Sequence, residues 1–123
     1  MMRQGPIPAL IHGMVEYAAG ALFVAAPFLF GFDSGAAQAV SIVVGVAILV
    51  VTSASNLPTG LAKIIPVGIH VVLDVGTAAF LIAAPFLFGF SDESAPTAWF
   101  IVLGVLHVLL TIGTRFTAGQ PAA

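Results

Sequence analysis

No cysteine occurs among the 123 residues, which excludes disulfides, thiolate metal sites, iron–sulfur clusters and cysteine nucleophiles. Charge is nearly as scarce. Lys and Arg total three, Asp and Glu five, and charged residues make up 7% of the chain. Three basic side chains cannot build a nucleic-acid surface, because that binding rests on neutralising phosphates. A soluble domain carries about 25% charged residues, and a 12.5 kDa chain has too much surface to cover with so few. Disorder is excluded by the same numbers, since 60% of residues are hydrophobic and the net charge is −2. A phosphate-binding loop and a nucleophile elbow are both missing. Ser41, Ser53 and Ser55 stand without a base, and serines in apolar helices bond back to their own backbone. An integral membrane protein remains, and no enzyme is expected.

Four apolar stretches supply it, from about Ile7 to Leu29, Ala36 to Ser53, Ile64 to Leu87 and Ala95 to Thr114. A hydrocarbon core about 30 Å thick needs ~20 helical residues to cross. None of the stretches carries a polar stripe, and the run from Val43 to Val51 lacks the alternation of a barrel strand. The expectation is an all-α polytopic membrane protein with four transmembrane helices, forming a single membrane domain over 1–123. Short breakers separate the helices: Phe32-Asp33-Ser34-Gly35, Asn56-Leu57-Pro58-Thr59-Gly60 and Ser91-Asp92-Glu93-Ser94. Links this short make sequential helices antiparallel neighbours.

Arg3, Lys63 and Arg115 then fall on one side, and Asp33, Asp92 and Glu93 on the other. The positive-inside rule places both termini in the cytoplasm. The first stretch is too long for a signal-peptide core and recurs in mid-chain, so it reads as a retained span.

The recurrence is literal. Residues 25–32, Ala-Ala-Pro-Phe-Leu-Phe-Gly-Phe, return unchanged at 83–90. The same register aligns Ile7-Pro8 with Ile65-Pro66, His12 with His70 and Glu16 with Asp74. One inserted residue later, Gly45 aligns with Gly104 and Thr52 with Thr111. The unit is a helical hairpin used twice, repeat 1 over about 7–56 and repeat 2 over about 65–115. An even number of spans per unit gives parallel-related copies, with a pseudo-two-fold axis along the membrane normal.

A hairpin whose first helix ends in a small-Pro-aromatic motif, followed by an aromatic turn and a Gly-containing second helix, resembles the SPW-repeat family. The resemblance covers nearly the whole chain in two copies. It departs from the family's Ser-Pro-Trp, which stands here as Ala26-Pro27-Phe28 and Ala84-Pro85-Phe86. The resemblance implies a small bacterial membrane protein with a two-hairpin fold and brings no activity with it.

Proline cannot donate to the residue four back, so Pro27 frees the carbonyl of Phe23 and Pro85 that of Leu81. Pro27, Phe28 and Gly31, repeated as Pro85, Phe86 and Gly89, read as a helix terminator with an interfacial aromatic anchor. Water or the loop is expected to satisfy the freed carbonyls. Small residues at one-turn spacing, Ala37, Ser41 and Gly45 on the second helix and Gly13, Tyr17, Ala21 and Ala25 on the first, allow close helix approach. That approach serves either packing within the unit or a homo-oligomer or larger membrane complex. The lipid bilayer itself is the expected partner.

His12 and Glu16 stand at i and i+4, as do His70 and Asp74, so each pair shares a helix face. At 1.5 Å per residue the carboxylates lie roughly 14–15 Å in, near mid-bilayer, and the two histidines roughly 8–9 Å in. His107 lies roughly 10–12 Å from the inner end of the fourth helix, where the first repeat has Ile48. Ionisable groups inside a span need partners. Three readings follow for His12, Glu16, His70, Asp74 and His107. The leading one is an inter-helical lock in a structural or accessory protein of the bacterial inner membrane, with no cofactor. The second is a proton or ion pathway, since histidine titrates near neutrality. The third is a metal or haem site, although the spacing is not that of an HExxH helix or a di-iron bundle.

Overall fold

The computed structural model describes residues 5–116; Arg3 lies outside them. A two-residue strand β1 (Ile7–Pro8) leads into helix α1 (Ala9–Leu29). Helices α2 (Gly35–Ala54), α3 (Val67–Leu87) and α4 (Ser94–Gly113) follow, and strand β2 (Thr114–Arg115) closes the order. All four helices are long and apolar enough to cross a membrane. The protein is therefore an all-α, multi-pass membrane protein, and the strands are minor ties at the end of the bundle where Ile7 meets Thr114, called the inner end as a label of position alone.

Two helix starts come later than the apolar pattern suggests. Ile7-Pro8 and Ile64 to Pro66 are not helical, because Pro8 and Pro66 take extended backbone (ψ 147° and 151°) as N-caps, and the residue before a proline is steered away from helix. β1 pairs instead with β2 in parallel, Ile7 opposite Thr114. Ser55 bridges Ile65 in the same sense. In each case the start of one repeat is tied to the end of the other. Counted from the observed starts, Glu16 and Asp74 lie about 10 Å into their helices at 1.5 Å per residue. This is the inner half of the span rather than its midplane.

The repeated motif ends α1 and α3 in the same way. Gly31 and Gly89 have φ +62° and +73°, a conformation that glycine adopts without a Cβ penalty. Phe32 N–H donates to the Pro27 carbonyl at 3.1 Å and Phe90 N–H to that of Pro85 at 2.9 Å, which is the Schellman cap. Phe28 and Phe86 are left exposed. The carbonyl freed by Pro27 is met by a side chain of the neighbouring helix. Ser41 of α2 donates to the Phe23 carbonyl at 2.6 Å, so Ser41 crosses between helices. Ser53 and Ser55 do bond back, to Val50 and Val51.

Within the first hairpin the close approach is between Gly20 and Gly45. A Cβ on Gly45 would sit 2.6 Å from the Gly20 carbonyl oxygen. The α1 row expected from Gly13, Tyr17, Ala21 and Ala25 is rotated accordingly, and Ala21 is exposed. The second hairpin repeats the contact between Ala78 and Gly104, where a Cβ on Gly104 would lie 3.0 Å from the Ala78 carbonyl oxygen.

Side chains join the hairpins to each other. Towards the outer end Phe100 meets Phe23 and Phe90 edge-on, with ring centroids 5.5 and 5.2 Å apart, over buried Ala26, Leu81 and Ala84. At the outer loops Glu93 accepts from the backbone N–H groups of Asp33 (2.6 Å) and Ser34 (2.9 Å). At the inner end Ala9, Leu57 and Phe116 form a smaller apolar cluster. Between the two apolar layers lies a polar one.

Candidate functional site

Four side chains from two helices converge in that layer. The i and i+4 spacing puts His12 over Glu16 on α1 and His70 over Asp74 on α3, and packing the hairpins turns both faces inward. His12, Glu16 and His70 are at most 1% exposed, and Asp74 is 4% exposed. The pairing runs within each helix and across the hairpins. His12 Nε2 stands 3.0 Å from Glu16 Oε2 and 3.0 Å from Asp74 Oδ2. His70 Nε2 stands 2.9 Å from Glu16 Oε1 and 3.2 Å from Asp74 Oδ2. His107 of α4 reaches the same carboxylates from the side, at 3.3 Å from Asp74 and 3.5 Å from Glu16. All five residues thus meet at one place.

Hydroxyl groups at the ends of α2 and α4 fix the imidazoles. Ser55 Oγ lies 2.6 Å from His70 Nδ1, and Thr114 Oγ1 lies 2.7 Å from His12 Nδ1. Each hydroxyl gives its single proton to its own helix, Ser55 to Val51 and Thr114 to Leu110. Each must therefore accept from the imidazole, which places a proton on Nδ1 of both rings. The Nε2 atoms are then turned towards the carboxylates. Thr52 and Thr111 complete the layer, with Oγ1 3.4 Å from Glu16 Oε1 and 3.5 Å from Asp74 Oδ2. Each of these four hydroxyls has its counterpart in the other repeat, whereas His107 has none.

Proximity here is not the same as hydrogen bonding. Nε2 of His70 and of His107 are buried and make no well-aligned hydrogen bond, although carboxylate oxygens stand within 3.5 Å of both. His12 Nε2, by contrast, is in hydrogen-bonding geometry with Asp74 Oδ2 at 3.0 Å. One donor atom each from His12, Glu16, His70 and Asp74 can be chosen so that all lie within 4.8 Å of one another. Four ligands placed tetrahedrally on bonds of about 2.0–2.2 Å stand about 3.3–3.6 Å apart. The widest separation would therefore have to close by roughly an ångström.

The surroundings are unequal. On the inner side Phe116 lies against His12 with ring centroids 4.9 Å apart, and buried Leu57 packs beside it. Sequence reasoning did not single out Thr114 or Phe116, and it read Ser55 as a serine without a base, which the contact with His70 Nδ1 corrects. Ser55 and Thr114 do fall on the aligned register of the second helices, as hydroxyls in both copies, and that was the available signal. Phe116 had none, since its role comes only from folding the chain end over the rings.

The SPW repeat domain model matches residues 10–114, a span that contains the cluster and its hydroxyl partners whole. No curated protein and no solved structure matches the chain.

Proposed function

The chain belongs to the SPW repeat family of membrane proteins, and on that premise we propose that it is a small, non-enzymatic protein whose two hairpins are pinned together by a divalent transition-metal ion. The ligands are Nε2 of His12 and His70 and the carboxylates of Glu16 and Asp74. One observation carries this reading: both Nδ1 atoms are committed to hydroxyls, which turns both Nε2 atoms onto paired carboxylates in an apolar setting. An outer-shell acceptor on the far ring nitrogen is the usual support of a metal-binding histidine. A dication neutralises two carboxylates, which removes the cost of holding like charges in hydrocarbon. Imidazole with carboxylate suits Zn²⁺, Fe²⁺ or Mn²⁺. The rings of His12 and His70 have centroids 5.8 Å apart with the carboxylates at their tips, which favours a bare ion over a haem. The apolar plug of Leu57 and Phe116 argues against a wet proton path from the inner side.

The basic residues Lys63 and Arg115, with Arg3, support a bacterial inner-membrane setting with both termini cytoplasmic. The lipid bilayer is the partner in this reading, and the protein acts as a structural or accessory component, alone or in a homo-oligomer. Metal analysis of the purified full chain tests it. One Zn²⁺, Fe²⁺ or Mn²⁺ per chain is expected, lost in the Glu16→Gln/Asp74→Asn double variant and retained in His107→Ile. A wild-type chain that neither carries nor takes up any of these ions would overturn the reading.

A further inference from the structure

The two seams between the hairpins are built from aligned residues but differ in bulk. On the α1/α4 seam, Trp99 packs on Phe23 and Phe30, each at a centroid distance of 5.2 Å. The position aligned with Trp99 on α2 is Val40, and the position aligned with Ala18 of α1 is Gly76 on α3. A Cβ on Gly76 would meet nothing within 4 Å. The α2/α3 seam is consequently a groove of about 780 Å³. Val40, Ala47, Gly76 and Phe80 are among its apolar walls, and Glu16, Asp74 and His107 are its charged and ionisable lining.

His107 makes this more than an apolar furrow. It is 8% exposed, its Nε2 is buried without a hydrogen-bond partner, and its aligned residue in repeat 1 is the apolar Ile48. Other approaches to the cluster are covered among the described residues, by Leu57 and Phe116 on the inner side and by Phe23, Phe90 and Phe100 on the outer side. The groove therefore opens sideways, onto the hydrocarbon of the bilayer.

We propose that this groove binds a membrane-dissolved, neutral molecule with a small oxygen-bearing head and an apolar tail, of the quinone or quinol kind. The head lies at His107, Glu16 and Asp74, and the tail runs along α2 and α3. A phospholipid does not fit that description, because its charged head stays at the interface and burying it about 10 Å deep is opposed by desolvation. A carbonyl oxygen accepts from the imidazole N–H, and a phenolic hydroxyl donates to a carboxylate. The volume falls in the range of about 300–1,000 Å³ seen for small-molecule sites. This inference goes beyond the ion reading, since the groove and His107 are not needed by the ion, while Glu16 and Asp74 are shared by both.

Equilibrium binding of a decyl-substituted benzoquinone to the full chain in detergent tests it, with metal content measured in parallel. Saturable binding of one molecule per chain is expected. Val40→Trp, which gives α2 the residue of the closed seam, and Gly76→Leu, which points into open space, should each weaken binding at least tenfold. His107→Ile should weaken it comparably, and all three should keep the wild-type metal content. Gly76→Leu decides the matter if Val40→Trp does not fold. Non-saturable partitioning of the probe, or equal binding by wild type and filled variants, overturns the proposal. Saturable binding by a chain that holds no metal supports the groove while removing the ion.

Discussion

The two repeats share a framework and diverge where a function can be placed on it. Both carry the His–carboxylate pair, the hydroxyl beneath the imidazole, the threonine beside the carboxylate and the Schellman-capped proline helix. They differ at many aligned positions, of which four bear on access: Ser41 aligns with Phe100, Ile48 with His107, Val40 with Trp99, and Ala18 with Gly76. The shared set makes a symmetric cluster from two half-sites, neither of which is complete alone. The divergent set closes one seam with an aromatic ring and leaves the other open, with an additional histidine lining it. Duplication supplied the polar centre, and divergence made it accessible from one side.

The comparison breaks most visibly at the glycines inside the hairpins. Gly45→Ala should destabilise the protein by about 2–3 kcal/mol, because the new Cβ meets the Gly20 carbonyl oxygen at 2.6 Å and the Val24 nitrogen at 2.7 Å. Gly104→Ala should cost less, about 1 kcal/mol, since its nearest neighbour is the side chain of Ile82, which can turn. Unfolding equilibria in detergent distinguish the two, and equal costs would mean that the hairpins pack alike.

Symmetry itself is tested at the hydroxyls. Ser55→Ala and Thr114→Val each remove one outer-shell partner and should lower metal affinity by about 10–100-fold, to a similar degree. A large effect of one and none of the other, measured by chelator competition, would show that the two half-sites are not equivalent.

Smaller effects sharpen the divergent positions. Ser41→Ala leaves the Phe23 carbonyl without its donor at a buried site and should cost about 1–2 kcal/mol. Phe100, at the aligned place, offers no hydroxyl to Leu81, so the second hairpin already lives without that bond. Gly76→Ala should stabilise by about 0.5–1 kcal/mol, because α3 gains helix propensity and the methyl group meets nothing. A loss of stability there would mean that the groove is filled by something the chain itself supplies.

Much of this was legible in one dimension. The four spans and the repeated Pro-Phe-Leu-Phe-Gly-Phe run depend on composition and order, and the helix ends agree with the structure to within a few residues. The exceptions are where Pro8 and Pro66 hold the chain extended for pairing. The five ionisable residues could be named because i and i+4 spacing is a property of a single helix. Their partners could not, because His12 meets Asp74 and Thr114 across 62 and 102 residues. Ser41 was misjudged for the same reason: its acceptor is on another helix, made available by a proline 14 positions away in sequence.

The sequence by itself determined that the chain lives in hydrocarbon, how many times it crosses and which residues cannot face lipid, since these follow from hydropathy, length and helical period. Tertiary structure alone decided which imidazole meets which carboxylate, which hydroxyl orients which ring, and which seam stays open. Those outcomes depend on the relative rotation and approach of two hairpins, and that geometry is set by side-chain volumes meeting in space, where a tryptophan and a valine at aligned positions produce opposite results.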